Sequence, residues 1–480
     1  MNYRMIFYTT GKILQVNSLL LMLPAVVSLI YRESCVFSFL LAAVISVTVG
    51  FIISLIFKPK NHLIYAKEGF VIVSLTWILL SLIGALPFVL SGEIPFFFDA
   101  FFETVSGFTT TGASILTDIE KLSNGLLFWR SFTHWIGGMG VLVFVMAFIP
   151  NVSDRSIHLM RAEMPGPIVG KLVPRIRDTA KILYIIYIVL TLVEVVMLCA
   201  GGMSVFEGLL HSFGTAGTGG FGVKADSIGG YSPYIQWVIA IFMLIFGVNF
   251  NLYYLILIRR FRSAIKSSEL WAYICIVLFS VSAISFNIYP MYKNIEEVLR
   301  QAAFQVSSII TTTGYATTDF NNWPVLSKGI LMLLTISGGC AGSTAGGFKI
   351  SRIVILFKMI RKEIRRLIHP HSVDTVKFEG KALDNQTLYG VGAYLAMYSI
   401  CAVSIFLLLC IEPFDIETTL TAMLACFNNV GPGLGAVGPS SSFADFSAFS
   451  KLILSFAMLL GRLEIFPLII ALNPSTWKKR

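Results

Sequence analysis

Ten long apolar stretches constrain this chain of 480 residues more than any other feature of its sequence. A helix needs about 20 apolar residues to cross the hydrocarbon core of a bilayer, and each stretch provides that length. Charged residues make up only 13% of the chain, whereas soluble domains contain about 25%. The sequence therefore predicts an all-α polytopic membrane protein with about ten transmembrane helices and argues against a soluble enzyme. The predicted spans cover 13–31, 36–57, 69–91, 126–149, 182–201, 233–258, 270–289, 325–357, 387–411 and 449–472.

The 36 Lys and Arg residues are distributed unevenly between the two sides of these spans. If the N-terminus lies in the cytoplasm, most of them fall in cytoplasmic connections, as the positive-inside rule requires. The net charge of +10 then reflects orientation rather than an anionic ligand. We therefore expect a multi-pass protein with both termini in the cytoplasm.

Four of the outer connections resemble one another and cover 97–114, 203–222, 295–317 and 415–435. Each begins with acidic residues, continues with about ten residues of helical character and ends in a stretch rich in Thr, Asn and Gly. Self-similarity at a fixed interval indicates a repeated structural unit. We interpret the unit as a span, a re-entrant pore loop and a second span, copied four times. The predicted domains are an N-terminal helix pair at 1–67 and pore repeats at 68–150, 151–266, 267–381 and 382–480.

The end of each re-entrant loop has the chemistry of a cation filter. Non-helical backbone is tolerated at membrane depth only if it lines a cavity or is buried in protein. Rings of backbone carbonyls can replace the water shell of a dehydrated cation, and glycine permits the backbone conformations that such a ring needs. Alignment of the loops places Gly112, Gly219, Gly314 and Gly431 in register. The candidate filter residues are Thr110, Thr111, Gly112, Gly217, Thr218, Gly219, Thr312, Thr313, Gly314, Asn429, Val430 and Gly431.

The acidic residues at the start of the loops have a simpler interpretation. They lie near the N-termini of the predicted short helices, where a negative charge complements the helix dipole. We therefore expect them to cap these helices rather than to bind ions. They are Asp99, Glu207, Glu296, Glu297 and Glu417.

A glycine-rich segment at 338–347 interrupts the eighth apolar stretch. Glycine runs inside a span are typical of a broken helix and also of a close helix-packing face, and the residues alone leave both open. The candidate residues are Gly338, Gly339, Gly342, Ser343, Thr344, Gly346 and Gly347.

Arg462 lies in the middle of the tenth apolar stretch. An ionisable residue there is costly unless it faces a cavity or a partner, so a functional role is the default interpretation. Pairing with nearby Glu464 is the structural alternative.

The motif TTTG at 109–112 and 311–314, together with the fourfold loop pattern, resembles the Trk/Ktr/HKT superfamily of potassium transporters. The similarity is strongest to its bacterial TrkH-type transmembrane subunits and covers essentially the whole chain. It implies a single-chain, pseudo-fourfold, potassium-channel-like pore. Because plant relatives that favour sodium have serine in the first repeat, the resemblance implies potassium selectivity at Gly112.

The resemblance also implies how the pore is controlled. It assigns 338–347 to a gate that obstructs the pore below the filter, and it places Arg462 in the conduction path as an electrostatic barrier. It implies a homodimer in the bacterial inner membrane. It further implies a cytosolic regulatory subunit of the TrkA type that binds NAD(H) or ATP/ADP, since the chain itself has no room for a nucleotide-binding domain.

The function that we expect is potassium uptake through a selective, gated pore. Potassium symport with protons or sodium stays open, and so does alternating-access transport. Inverted repeats are typical of alternating-access transporters, whereas these four repeats share one orientation.

Other function classes find little support. Neither of the G-x-G-x-x-G matches, at 217–222 and 433–438, follows a strand or opens a helix as a dinucleotide site requires. No cluster of nucleophiles, acid–base pairs or metal ligands suggests an enzyme. We expect potassium as the transported ion, no organic cofactor, lipid contacts and no nucleic acid. Four cytoplasmic basic residues either serve topology or dock a partner: Arg361, Lys362, Arg365 and Arg366.

Overall fold

The computed structural model describes residues 1–59, 64–140, 176–371 and 374–478. Helices account for most of these residues. The first repeats contain α1 (Tyr3–Ile30), α2 (Val36–Ile56), α3 (Ala66–Ser91), α4 (Phe97–Phe108), α5 (Asn124–Gly138), α6 (Ile176–Ala200), α7 (Val205–Gly217), α8 (Pro233–Phe246), α9 (Phe250–Leu257) and α10 (Phe261–Ile265). The later repeats contain α11 (Ser268–Ile288), α12 (Ile295–Ile310), α13 (Val325–Ser337), α14 (Ile350–Ile368), α15 (Asn385–Leu409), α16 (Ile416–Phe427), α17 (Ala448–Arg462), α18 (Phe466–Leu472) and α19 (Pro474–Trp477).

Among the described residues, six helices are long and apolar enough to cross a membrane without a break: α1, α2, α3, α6, α11 and α15. Two helix pairs of the same character are bent sharply, α8–α9 by 89° and α17–α18 by 119°. Non-helical backbone separates α13 from α14. The predicted span 126–149 begins with α5, and its residues 141–149 lie outside the described residues, as does most of the predicted connection 150–181. The prediction of a polytopic helical membrane protein is confirmed.

Local sequence explains both bends. At the first, Asn249 accepts a hydrogen bond from the N–H of Asn251 (3.0 Å) and so caps the start of α9. At the second, Glu464 and Ile465 have left-handed backbone (φ 55° and 65°). Pro467 then occupies the first turn of α18, where its missing N–H costs nothing. Each pair therefore consists of two helices in different directions.

The outer surface of the long helices is apolar and exposed. Phe37 on α2, Phe286 on α11 and Leu19 on α1 are 74%, 88% and 69% exposed. Large exposed apolar surface on a soluble protein would mark an interaction site or an aggregation hazard. On helices of this length it is the surface that faces lipid.

The N-terminal helix pair packs through small residues. Gly11 of α1 faces Gly50 of α2, and a Cβ on Gly50 would lie 2.6 Å from the Gly11 carbonyl oxygen. Close backbone approach of this kind is typical of helix association within membranes. Tyr3 stacks on Trp477, with ring centroids 6.1 Å apart. The described ends of the chain therefore lie on the same side of the protein.

Four short helices each precede one filter segment: α4, α7, α12 and α16. All four carry acidic residues in their first turn, as predicted. Several of these carboxylates also form ion pairs, namely Asp99–Lys451 (2.8 Å), Glu296–Arg300 (3.0 Å), Glu417–Lys328 (3.3 Å) and Glu207–Lys224 (3.9 Å). The acidic residues therefore serve helix termini and ion pairs.

A small hairpin lies between α14 and α15. Its strands, β1 (Lys377–Phe378) and β2 (Lys381–Ala382), pair antiparallel. Glu379 and Gly380 form the two-residue turn with positive φ (47° and 75°), as expected of a tight hairpin turn. The Glu379 carboxylate accepts hydrogen bonds from the Ser267 hydroxyl (3.1 Å) and from the N–H of Glu269 (3.1 Å). The hairpin therefore holds the start of α11.

Candidate ion pathway

The four pore helices end with the same hydrogen-bond pattern. At the end of α4, the N–H of Thr110 donates to the Gly107 carbonyl (3.1 Å) and that of Thr111 donates to the Ser106 carbonyl (2.9 Å). Equivalent pairs of bonds close α7, α12 and α16. This is the Schellman motif, which satisfies carbonyls that a helix end leaves unpaired. The chain therefore leaves all four helices with the same geometry.

Two left-handed residues define the register of each filter segment. The first is a capping residue with φ of 55° or 56°, and these are Thr110, Thr218, Thr312 and Asn429. The second follows two positions later with φ of 82°, 75°, 85° and 94°, and these are Gly112, Gly220, Gly314 and Gly431. The fourth segment shares this register despite its different residues.

The predicted register of the second repeat is wrong by one residue. Gly220, not Gly219, has the left-handed backbone that corresponds to Gly112. Gly217 is the last residue of α7, and a Cβ there would overlap the backbone carbonyl of His134 on α5. Gly217 is therefore a helix-packing residue, and the second filter segment comprises Thr218, Gly219 and Gly220.

The four glycines form a closed ring with carbonyls of the next repeat. A Cβ on Gly112 would overlap the carbonyl oxygen of Gly219, and a Cβ on Gly431 would lie 2.7 Å from that of Thr111. The same relation holds for all four repeats in cyclic order. The pairs are Gly112 with Gly219, Gly220 with Thr313, Gly314 with Val430 and Gly431 with Thr111. Repeat four therefore meets repeat one, and the segments enclose a common centre.

The capping residues hold a backbone conformation that is rare outside glycine. A left-handed φ is an outlier for a β-branched residue, and such strain persists only when the surroundings enforce it. The hydroxyl of Thr110 donates to the Thr109 carbonyl (2.7 Å). Asn429 Nδ2 donates to Thr111 Oγ1 and to the Met458 carbonyl, both at 2.9 Å. These bonds fix the capping residues, and the bond from Asn429 to Thr111 links repeats four and one directly.

A cavity of about 480 Å³ lies at the glycine end of the ring. All four ring glycines line it, together with Arg130, Lys224 and Asp445. Through this polar cavity an ion can reach the ring from the side on which the chain leaves the filter segments.

A buried ion pair supports the wall of this approach. Arg130 Nε lies 2.6 Å from Glu103 Oε1, and both side chains are buried. The other Glu103 oxygen accepts the N–H of Ile115 (3.0 Å), while Arg130 donates to the Gly222 carbonyl (2.9 Å). A buried pair is stable only when further hydrogen bonds satisfy it. This pair joins the segments that follow the ring glycines in repeats one and two, at Ile115 and Gly222. It was not predicted from the sequence.

The segment 338–347 is a broken helix rather than a helix-packing face. Its residues are not helical, and Gly338, Gly342 and Gly347 have φ of 66°, 71° and 77°. Most of the segment is buried. The N–H of Gly346 donates to Thr312 Oγ1 (2.6 Å). The segment therefore contacts the capping end of the filter, opposite the cavity at the glycine end.

Glu269 anchors this segment, a role that an acidic residue in a first helical turn does not by itself indicate. Its Oε1 accepts the N–H of Ala341 (2.7 Å) and the N–H of Ser351 (3.1 Å). One carboxylate on α11 thus binds backbone within the segment and just beyond it. Because Glu379 of the hairpin holds the N–H of Glu269, the hairpin and the segment share one support.

Arg462 joins the filter to this segment. Its guanidinium donates to Thr110 Oγ1 (3.3 Å), to the Thr344 carbonyl (3.0 Å) and to the Gly137 and Gly138 carbonyls. Arginine suits such a position because its planar group presents several donors at once. The predicted residues of the filter, the glycine-rich segment and Arg462 are therefore in contact.

Glu464 pairs with Arg352 of α14. Arg352 also donates to the Phe348 carbonyl (3.0 Å) and lies 3.8 Å from the centre of the Tyr394 ring. Buried Lys349 donates to the Ala345 carbonyl of the glycine-rich segment. These residues hold the segment from its α14 side. Arg352 and Lys349 were not predicted from the sequence, and Glu464 was considered only as a partner of Arg462.

Within the described residues, no group of three His, Cys, Asp or Glu side chains is placed to hold a metal ion. The polar groups that all four junctions of the ring have in common are backbone carbonyls.

Comparisons with known proteins agree on one family. The TrkH cation transport protein family model matches residues 37–274 and 264–479. The Trk system potassium uptake protein TrkH of Salmonella typhimurium is 36% identical, and the alignment covers 100% of both chains. The potassium uptake protein TrkG of Escherichia coli strain K12 is 34% identical over 99% of each chain. The crystal structure of the potassium transporter TrkH from Vibrio parahaemolyticus superposes with a TM-score of 0.88 at 33% identity, covering all of both chains. The chain therefore belongs to the TrkH family of cation transport proteins.

Proposed function

We propose that this protein takes up potassium across the bacterial inner membrane through a selective, gated pore. The closed ring of four glycines and four carbonyls carries the proposal, because it brings all four repeats to one centre. The relatives above are named for potassium uptake, which supports the choice of ion. Potassium is the cargo, and the proposal needs no organic cofactor in this chain.

Selection takes place at the ring. A cation that sheds water needs several oxygens at once, and carbonyls from four segments supply them. The candidate ligands, in the corrected register, are Thr110, Thr111, Gly112, Thr218, Gly219, Gly220, Thr312, Thr313, Gly314, Asn429, Val430 and Gly431. All four pore helices end beside the ring, and the C-terminal end of a helix carries partial negative charge. Both features stabilise a cation there.

The segment 338–347 forms the gate. It lies against the capping end of the filter through Gly346 and Thr312, and Arg462 bonds it to the first repeat through Thr344. An ion that has passed the ring meets the segment and the positive charge of Arg462 next. Displacement of the segment opens the path, and the charge of Arg462 shortens the residence of the cation below the filter.

No chemical step is needed to drive uptake. An inside-negative membrane potential contributes about 2.3 kcal/mol per charge per 100 mV. The four repeats run in one direction around the ring, whereas inverted repeats are typical of alternating-access transporters. These features favour a pore.

Control comes from outside this chain. We place both termini in the cytoplasm, consistent with the contact of Tyr3 with Trp477. A homodimer then carries a cytosolic partner of the TrkA type, which binds NAD(H) or ATP/ADP. The C-terminal half of α14 carries four basic residues that we place on that side, of which Arg361, Arg365 and Arg366 are exposed and Lys362 is half-buried.

Ion flux into proteoliposomes tests the proposal. Purified protein should admit potassium and rubidium well above sodium when a potential negative inside the vesicle is imposed. Empty liposomes give the leak, and an ionophore gives the maximum. Equal rubidium and sodium fluxes would refute a potassium-selective pore.

A further inference from the structure

The position that precedes each ring glycine has a different side chain in the second repeat. It is occupied by Thr111 in the first repeat, Thr313 in the third and Val430 in the fourth, but by Gly219 in the second. Gly219 does not have a left-handed φ, so its backbone conformation does not require glycine. Another residue must account for the missing side chain.

That residue is His134 of α5. A Cβ on Gly219 would overlap the His134 ring, with Nδ1, Cγ and Cε1 as its three nearest atoms. His134 is fully buried, and its ring stacks on Phe221 with centroids 4.1 Å apart. Phe221 directly follows the ring glycine Gly220. The imidazole therefore contacts the second filter segment on both sides of its ring glycine.

Threonine pairs fill the corresponding space in two other repeats. Thr109 and Thr111 hydroxyls lie 2.8 Å apart, and Thr311 and Thr313 hydroxyls lie 2.8 Å apart. In the second repeat both members of this pair are glycine, Gly217 and Gly219. His134, supplied from a different helix, occupies both positions: its ring lies at Gly219 and its backbone carbonyl lies at Gly217.

The chemistry of the site argues against an incidental histidine. Neither ring nitrogen of His134 has a hydrogen-bond partner among the described residues. An unsatisfied buried polar group is costly. The contacts that the ring does make are with the Gly219 position and with the face of Phe221.

We propose that His134 is a specificity-determining positioning residue: its ring sets the position of the second filter segment and thereby of the Gly219 carbonyl that faces Gly112. This inference rests on the proposed function, since it concerns selectivity of the same ring. Without the imidazole, the segment around Gly219 is free to move away from the common centre. One of the four carbonyls then no longer lies at the distance that suits a potassium ion.

The test measures the ratio of rubidium to sodium flux in proteoliposomes for variants at both partners. His134→Ala should lower the ratio by about tenfold, equivalent to about 1.4 kcal/mol. His134→Phe keeps a stacked ring of similar size and should stay within about twofold of wild type. Should His134→Ala not yield monodisperse protein, His134→Val makes the smaller truncation and should lower the ratio in the same direction.

Complementary substitutions separate a local contact from general damage. Gly219→Ala alone should lower the ratio, because its methyl group overlaps the His134 ring. The double variant His134→Ala with Gly219→Ala should recover most of the lost selectivity. Gly217→Ala is the matched control, since its methyl group meets the His134 backbone carbonyl, which His134→Ala leaves in place, so no recovery is expected there.

The outcomes distinguish this inference from the function on which it rests. A wild-type protein that does not discriminate rubidium from sodium refutes the proposed function itself. If wild type discriminates while His134→Ala keeps its ratio, the inference is overturned. The same holds if the double variant is no better than Gly219→Ala, or if His134→Phe loses selectivity as His134→Ala does.

Discussion

Substitution of Gly431 by alanine tests the closure of the ring where its sequence is least typical. Gly431 belongs to the fourth segment, which has Asn and Val where the first and third have Thr. Its φ is 94°, and an added Cβ would lie 2.7 Å from the Thr111 carbonyl oxygen. The structure places this contact between repeats four and one, so the variant acts on the last junction of the ring.

The size of the effect follows from two contributions. Cβ atoms are essentially never closer than 3.0 Å to such an atom and reach ordinary contact at 3.4 Å. The two segments must therefore separate by roughly 0.3–0.7 Å, given that the carbonyl oxygen would otherwise lie 2.7 Å away. A left-handed residue with a Cβ adds about 1–2 kcal/mol of strain. Movement of the Thr111 carbonyl relieves the close contact, whereas only a change in the backbone of residue 431 relieves the strain. Both changes displace carbonyls of the ring, and a loss of about 1.4 kcal/mol in discrimination is tenfold in the ratio.

The assay is the ratio of rubidium to sodium flux in proteoliposomes, at matched protein content. We expect Gly431→Ala to lower this ratio by about tenfold. Gly202→Ala is the control because Gly202 also has a left-handed φ of 93°, yet no atom lies within 4 Å of its added Cβ. It should keep the wild-type ratio. An unchanged ratio in Gly431→Ala, with the variant folded and conducting, would show that the fourth segment is not part of the filter.

Three further predictions concern the gate and its control. Arg462→Ala should raise rubidium influx by about fivefold, the effect of about 1 kcal/mol, without a change in ion selectivity; an unchanged or lower influx would contradict the barrier. Glu269→Gln should raise basal influx by about tenfold, because a hydrogen bond to a charged group contributes about 1.5–3 kcal/mol to holding the 338–347 segment. The control Glu363→Gln, on the exposed face of α14, should leave basal influx unchanged. Equal effects of the two substitutions would refute the role of Glu269 as an anchor. Charge reversal of four basic residues on α14 should abolish co-purification of the cytosolic subunit while membrane insertion persists: Arg361, Lys362, Arg365 and Arg366. If co-purification is retained, these residues do not dock the subunit and serve only to orient the chain in the membrane.

The membrane architecture was predictable because it depends on composition and length. The apolar stretches suffice to predict a polytopic membrane protein, since the bilayer acts on whole segments rather than on single contacts. The orientation that the basic residues indicate stays a prediction. The bends at Asn249 and Pro467 were not predicted. They depend on capping and on local backbone conformation, which apolar periodicity does not report.

The filter was predictable as a pattern but not as a register. Thr and Gly recur in three loops, yet the second contains glycine at 217, 219 and 220, and the residue types alone do not separate them. The left-handed φ of Thr218 and Gly220 decides the question. A closer signal was present, because the Gly219 position lacks the threonine found at 111 and 313, which indicates that another side chain fills the space.

The contacts that hold the 338–347 segment, the proposed gate, were not predicted for a different reason. In the sequence, Glu269 is an acidic residue in the first turn of a helix and Arg352 is a basic residue in a predicted span near its cytoplasmic end. Both are ordinary at such positions, so the sequence pattern did not distinguish them. Their roles arise from contacts across repeats, Glu269 with the backbone at 341 and 351, and Arg352 with Glu464. Glu464 was considered as a partner of Arg462, and the structure pairs it with Arg352.

The position of rubidium in the protein tests the central claim most directly. Anomalous diffraction from crystals grown in a rubidium salt locates the ion without reference to flux. We predict a rubidium peak at the centre of the ring, surrounded by the carbonyls of Thr111, Gly219, Thr313 and Val430. Rubidium found only in the outer cavity near Asp445, with none inside the ring, would contradict the account.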